Sequence, residues 1–415
     1  MTSATPSSSP ASPVPTSTRL AYVDGLRGVA VLMVVCFHAV LWGGFPVEGR
    51  VPHFLQVGGW TVPFELGLLR HLFSVGGGGV DLFLVISGFC LFLPLLRRGE
   101  TRTQPLDMWR FLQRRTRRIV PPFYAGLALV LGISWLTSQF EGPSWWPWAP
   151  NSFQNAFPFV GLDAWYNLIS HLTLTHGLFH RYQTAYEGSF WSLSLEWQFY
   201  FLFLILGLIG SRVGVLAAVV FPIVATVVFR GLCFVFAPDF LNTSVGFDFC
   251  LARWAEFGAG MIAAAIVSRS LPAAFFQALR PLKPFLSLIV VALLALAWRI
   301  EFFDPSSVLR IWAWGAAGAA LLACSASLPL LARILGWKPL VALGTISYSL
   351  YLAHGAVYMG MALILSRTEI SRDARQLLFF LGGPAIAIAC SIVFFWIFER
   401  PFLKKKSAPS EHAAP

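Results

Sequence analysis

Charge is what this sequence has least of. Asp, Glu, Lys and Arg together make up 12% of its 415 residues, about half the share found in a soluble globular chain. That deficit excludes an ordinary water-soluble domain. Cysteine is sparse as well, and the six at positions 36, 90, 233, 250, 324 and 390 form no C-x-x-C pair. A disulfide or metal framework is therefore not expected, and these thiols read as apolar fillers within helices. The chain also lacks any fixed-period repeat. Its net charge of +11 comes from basic residues placed beside hydrophobic segments rather than over a polar face, so nucleic acid is not an expected partner. Basic residues beside membrane spans set topology and meet anionic lipid or an anionic cytosolic ligand.

What the chain does have is apolar length. Hydrophobic residues make up 57%, the mean hydropathy is +0.69, and there are 38 Phe and 16 Trp. Ten apolar runs occupy 20–42, 79–97, 118–139, 190–209, 212–236, 248–268, 284–300, 309–328, 341–366 and 376–398. Each is long enough to cross a hydrocarbon core of about 30 Å as a helix. The expected fold is all-α, a polytopic membrane bundle of about ten transmembrane helices. Residues 1–18 carry no charge and are rich in Ser, Thr, Pro and Ala, which predicts a disordered segment rather than a signal peptide. Residues 19–402 form the expected transmembrane domain, and 403–415 a disordered basic tail.

Orientation follows from charge asymmetry. With the N-terminus inside, the cytoplasmic loops hold 19 Lys and Arg against eight in the opposite loops. Both termini are therefore expected in the cytoplasm. Segments 43–78 and 140–189 then lie outside, the second reading as a re-entrant or lid-like cap.

Ionisable residues within apolar helices are costly, about 2.5–3.5 kcal/mol each on an insertion scale, and so mark candidate sites. Asp24, Arg27 and His38 lie on the first helix. Arg27 and His38 are eleven positions apart, so they share a face with about 16 Å of rise between them. Asp24 sits three residues before Arg27 on the same side. An anion held near Arg27 and chemistry at His38 is one reading; a self-neutralising pair and a packing histidine is the other. The second helix starts with Gly76 to Gly79 and carries Asp81 and Ser87. That glycine run either frees N–H groups for an oxyanion or is a flexible turn. Arg114, Arg115, Arg117 and Arg118 precede the third run, and all eight basic residues from 97 to 118 are Arg, a bias that suits bidentate phosphate capture. Ser192, Glu196 and Tyr200 recur every four residues on the fourth helix and make a polar stripe. His171, His176 and His180 have helical spacings but no partner carboxylate or thiolate at matching distance, so no metal is expected.

Five stretches, in this order, resemble the acyltransferase 3 family of membrane-bound O-acyltransferases. They are D24-G-L-R27-G with His38 completing an Arg-x10-His spacing; G79-V-D81-L-F-L-V-I-S87-G88-F; Arg115-x-x-Arg118 before I-V-P-P-F-Y; F190-W-S-L-S-L-E196-W-Q-F-Y200; and I346-S-Y-S-L-Y-L-x-H354. They span about residues 20–400. The resemblance implies a donor, cytosolic acyl-CoA (acetyl-CoA foremost), and an acceptor hydroxyl on a sugar of a cell-envelope glycan, lipid-linked precursor or secondary metabolite. It implies a catalytic role for His38 with Arg27, Asp24 and Glu196, and donor contacts from Arg115 and Arg118, with Arg114 beside them. Asp81, Ser87, Ser192, Tyr200 and His354 are further candidates on the matching motifs. One departure is Trp197, where many relatives have a second acidic residue before Gln. The coenzyme's pantetheine arm matches the Arg27–His38 separation, and His38 could deprotonate the acceptor or carry the acyl group itself. Membrane lipid is an expected partner, and the bacterial cytoplasmic membrane the expected location. The alternative reading is a multi-pass transporter of a polar or anionic solute, weakened by the absence of two-half symmetry.

Overall fold

In a computed structural model of the chain, residues 20–43, 54–57, 60–63, 75–96, 103, 107–139, 161–304 and 306–403 are described. The expected ends at 1–18 and 404–415, and the outer stretches 44–53, 64–74 and 140–160, fall outside those residues. Ten helical segments are long and apolar enough to cross a membrane. The main helices are α1 (Ala21–Trp42), α2 (Gly77–Phe92), α3 (Met108–Ser138), α4 (Leu162–Leu172), α5 (Trp191–Arg212), α6 (Val215–Phe236), α7 (Cys250–Val267), α8 (Leu286–Phe303), α9 (Val308–Ser325), α10 (Lys338–Thr345), α11 (Ser347–Leu365) and α12 (Gly383–Phe394). A short antiparallel hairpin, β1 (Phe54–Val57) and β2 (Trp60–Pro63), is an addition to the all-α bundle.

The span boundaries depart from the hydropathy runs where local chemistry intervenes. Asp107 caps α3 by accepting from the Arg110 N–H at 3.0 Å, so the helix starts ten residues before the apolar run and carries the arginines on its first turns. Pro121 and Pro122 lie inside it. The break between α5 and α6 falls at Val213–Gly214, where Gly214 adopts φ +117°, a conformation that favours glycine. The ninth run divides into α10 and α11 at Ile346. π turns at Leu378–Gly382 and Phe395–Glu399 flank α12.

Small residues set how closely the helices pack, because between helices in lipid association rests on close contact rather than on a hydrophobic gain. A Cβ on Gly88 of α2 would lie 2.0 Å from the Phe257 carbonyl of α7, and one on Gly260 would lie 1.9 Å from the Val85 carbonyl. The two backbones therefore touch face to face. α2 is the most buried span, at 72% of its apolar window, whereas Val215–Phe236 and Ala273–Phe303 are 17% buried. The bundle centre is thus α1, α2, α7, α9 and α11, with α6 and α8 outside.

The segment after α3 does not stand clear of the bundle. Tyr124, near the middle of α3, donates to the Leu172 carbonyl at the end of α4 at 2.6 Å. Phe123 contacts the rings of His176 and Phe190 at 6.3 and 5.3 Å. Ser194 on α5 donates to the Leu174 carbonyl at 2.7 Å and accepts from the Gly177 N–H at 3.1 Å. Residues 161–190 therefore pack against the bundle. α4 is turned inside out relative to a soluble helix: Asn167, Ser170 and His171 are buried, while Leu162, Trp165, Tyr166, Ile169 and Leu172 are exposed.

Candidate functional site

The arginines meet at one end of the bundle. Arg27 from α1 is joined by Arg115 and Arg118 from α3 around a cavity of about 850 Å³, counting its open mouth. Ser87 and Cys90 of α2, Ser192, Glu196 and Tyr200 of α5, and Ser347, Tyr348 and Tyr351 of α11 complete the polar lining. Three guanidinium groups against a single carboxylate in one apolar-walled space suit an anionic ligand by charge. Glu196 holds the cavity wall together: it accepts from Ser87 Oγ at 3.0 Å and from Tyr200 Oη at 2.7 Å. The Arg115 guanidinium lies 5.5 and 5.8 Å from the Phe111 and Tyr200 ring centres. Arg27 donates to Cys90 Sγ at 3.4 Å and pairs with Asp24 at 3.4 Å. Asp24 is thus a neighbour of the site, outside its lining. Cys90, read from sequence as a filler, faces the cavity.

Above this cavity, on the same face of α1, lies His38. Its Nδ1 donates to the Val34 carbonyl at 2.8 Å, one turn back, which assigns the lone pair to Nε2. His354 of α11 is held the same way, its Nδ1 2.7 Å from the Tyr351 carbonyl. Its Nε2 lies 3.3 Å from His38 Nδ1, and the two ring centres are 4.9 Å apart. The third member is Glu187, from the end of the 161–190 segment. One nitrogen of each histidine and a Glu187 oxygen all lie within 4.8 Å of one another. Glu187 accepts from the Ser189 N–H at 2.8 Å and from Ser189 Oγ. It rests on Gly355, where a Cβ would come within 2.4 Å of its Oε1; only a missing side chain lets the carboxylate reach His38. Burial pushes the Glu187 carboxyl above its ordinary value, and His38 and the Ser189 donors pull it part of the way back.

Two histidines and a carboxylate are also a metal-ligand set by type. Both Nδ1 atoms face backbone carbonyls, so the lone pairs left to the group are those of His38 Nε2 and His354 Nε2, beside the Glu187 carboxylate.

Several sequence candidates lie elsewhere. Arg114 is exposed on α3 and outside the cavity lining. Asp81 belongs to a separate buried ion network: it pairs with Arg253, which also holds Asp248 at 2.6 Å and Glu256 at 2.5 Å, and with Arg310 at 3.3 Å. The glycine run at the start of α2 turns a freed N–H toward a carboxylate of the protein itself. The Gly78 N–H donates to Glu301 at 3.0 Å, and a Cβ on Gly77 would lie 2.3 Å from Arg310 Nη1; the glycines make room for this network. His171 and His176 stack at 4.0 Å between centres, while His180 bonds Ser244 at 3.0 Å, so the three do not converge. Glu187 is the residue that sequence reasoning missed. It sits in a loop with no motif, 149 positions from His38, and the only signal was its being one of three acids in that outer segment.

With this geometry in view, comparison with known proteins is informative. The sequence model of the acyltransferase 3 family, described as an acyltransferase domain, matches residues 20–397. The chain belongs to that family. It is similar, at 30% identity over 190 residues, to a Komagataeibacter xylinus protein named "Putative membrane-bound transacylase BcsY". The match covers 45% of this chain and 37% of the relative, so the chain spans just over a third of the length of that protein. No solved structure matches. This acyltransferase 3 chain is a multi-pass membrane protein.

Proposed function

We propose that this acyltransferase 3 protein moves an acyl group from acyl-CoA, held in the arginine cavity, to a hydroxyl activated by His38. The observation that carries the reading is the stacking of two sites on one helix face: a three-arginine cavity at Arg27 and a base cluster at His38. Arg27, Arg115 and Arg118 suit the phosphates of the coenzyme. The pantetheine arm spans the distance to His38, and the acyl carbonyl then meets the acceptor beside Nε2. His38 takes the acceptor's proton as the oxygen attacks the carbonyl carbon; the C–S bond breaks, and the coenzyme leaves as the thiol once it regains that proton. The Glu187 carboxylate stabilises the imidazolium formed on the way, and His354 orients the ring.

Acetyl is the proposed acyl group, and the proposed acceptor is a sugar hydroxyl on an envelope glycan, a lipid-linked precursor or a glycosylated small molecule. The proposed setting is a bacterial cytoplasmic membrane, with both termini and the arginine cavity on the cytoplasmic side.

Purified protein is expected to release CoA from acetyl-CoA in a thiol assay. His38→Ala is expected to lower that rate by about 10²–10⁴-fold, the usual worth of a positioned base, without loss of expression. Arg115→Ala with Arg118→Ala should instead raise the KM for acetyl-CoA. An unchanged rate in the first variant, or an unchanged KM in the second, removes the corresponding role.

A further inference from the structure

The base cluster lies outside the lining of the arginine cavity. Tyr351 and Ser192 line the cavity, whereas His38, His354 and Glu187 do not. Tyr351 stands between the two and is 5% exposed. Its hydroxyl donates to the Ser189 carbonyl at 2.7 Å and lies 2.6 Å from Ser192 Oγ, which donates in return. The ring meets Phe83 edge-on at 6.0 Å on one side and His354 at 5.8 Å on the other. Both neighbours of His38 hang from the same place. The Tyr351 carbonyl accepts from His354 Nδ1, and Ser189, on which the phenol docks, holds the Glu187 carboxylate.

We propose that Tyr351 is a positioning residue that partitions the donor cavity from His38 and yields only when the acyl-bearing arm displaces its phenol. The inference rests on the donor reading above. Its purpose is chemical. In hydrolysis the acyl C–S bond breaks, a C–O bond to water forms, and the water proton ends on the coenzyme sulfur. Transfer differs only in which hydroxyl attacks, so selectivity rests on keeping water away from the thioester. Two neutral hydrogen bonds are strong enough to hold the phenol closed and weak enough to open on each turnover. Because the dock is Ser189, opening the partition also frees the residue that positions Glu187, so the arrival of donor is felt at the base cluster.

The test is CoA release from acetyl-CoA in detergent, with no acceptor added, by wild type, Tyr351→Phe and Ser192→Ala. Tyr351→Phe keeps the ring and loses both hydrogen bonds. The expected result is a roughly fivefold or greater rise in acceptor-free release, the factor that loss of one buried hydrogen bond allows, with KM for acetyl-CoA within about twofold of wild type. Ser192→Ala, which keeps the phenol, should shift release in the same direction by less, and it serves if the first variant fails to fold. Adding His38→Ala to either should abolish the gain. A merely structural role would lower release or raise KM. Release unchanged or reduced in both variants relative to a releasing wild type overturns the partition alone; no release by wild type or by either variant overturns the donor reading and the partition together.

Discussion

At the scale of single residues, burial without a counter-charge holds an imidazole neutral. His171 and His176 make this plain away from the base cluster. Both rings are fully buried, parallel and 4.0 Å apart. Burial depresses both below the ordinary histidine value, His171 well below it and His176 to about 4. The folded protein therefore keeps these imidazoles neutral at pH values where the unfolded chain protonates them. Stability from this source is complete above the ordinary value of about 6.5 and falls as pH drops from there toward 4, by up to about 1.4 kcal/mol per pH unit for each histidine. Melting temperature in detergent should be level from pH 8 to 7 and decline below pH 6.5. Replacing His176 with Phe should flatten that decline; an equal decline in the variant would assign the acid sensitivity elsewhere. The residues of the site differed in how legible they were. Arg27 and His38 announced themselves as ionisable groups within an apolar run, and Arg115 and Arg118 as arginines at the entry to another. Ser87, Glu196 and Tyr200 were visible as candidates, but their mutual bonding was not. Glu187 could not be found, since a loop residue has no periodicity to place it, and its reach to His38 depends on a glycine, Gly355, in a helix far along the chain.

At the scale of elements, hydropathy found the ten spans because lipid demands about 20 apolar residues of any helix that crosses it. It found their ends less well, because caps, Gly214 and the α10–α11 break are local events that an averaged property cannot see. α4 shows the same limit more sharply. Its sequence, LDAWYNLISHL, has an obvious apolar stripe, and in a soluble protein that stripe would face inward. Here it faces outward and the polar face packs on the bundle, an inversion that only lipid rewards. The stripe continues the exposed apolar surface of α3, where Leu129, Trp135 and Leu136 are also uncovered. Spin labels at positions 165 and 169 in nanodiscs should accordingly collide more with oxygen than with a water-soluble nickel complex. The opposite preference would place α4 in water. Ile169→Lys should weaken association of the segment with the bilayer while leaving the KM for acetyl-CoA unchanged.

Across the whole molecule, the arginine cavity and the buried ion network divide labour. The cavity gathers cations where a ligand can neutralise them. The network around Arg253 is closed: Arg253, Asp81 and Glu256 are buried, and Glu301 accepts from Trp314 at 2.6 Å. Removing one partner strands the others in a low-dielectric interior, which costs about 3–5 kcal/mol for a buried pair. Arg253→Ala should lower the melting temperature sharply and reduce activity only in proportion to folded protein. Arg253→Met combined with Asp81→Asn should recover the part of the stability that belongs to that pair, measured by thermal unfolding in the same detergent. No recovery in the double variant would mean that the pair is not the source of the loss. From sequence, Asp81 was a candidate beside Glu196, because intramembrane charge looks the same whether it serves a ligand or a neighbouring helix. What separates them is distance along the chain, which sequence alone does not convert to distance in space.

That network also bears on how the chain is assembled. Asp81 and Arg253 are 172 residues apart, and the Gly78–Glu301 bond closes a loop of 223. During synthesis α2 reaches the membrane with an uncompensated carboxylate long before α7 brings its counter-charge, and α9 later still. An unpaired charge at that depth carries a cost of about 2.5–3.5 kcal/mol. A nascent chain cut anywhere between α2 and α7 should therefore remain associated with insertion machinery or chaperones, and the emergence of α9 marks the point at which the bundle can be released.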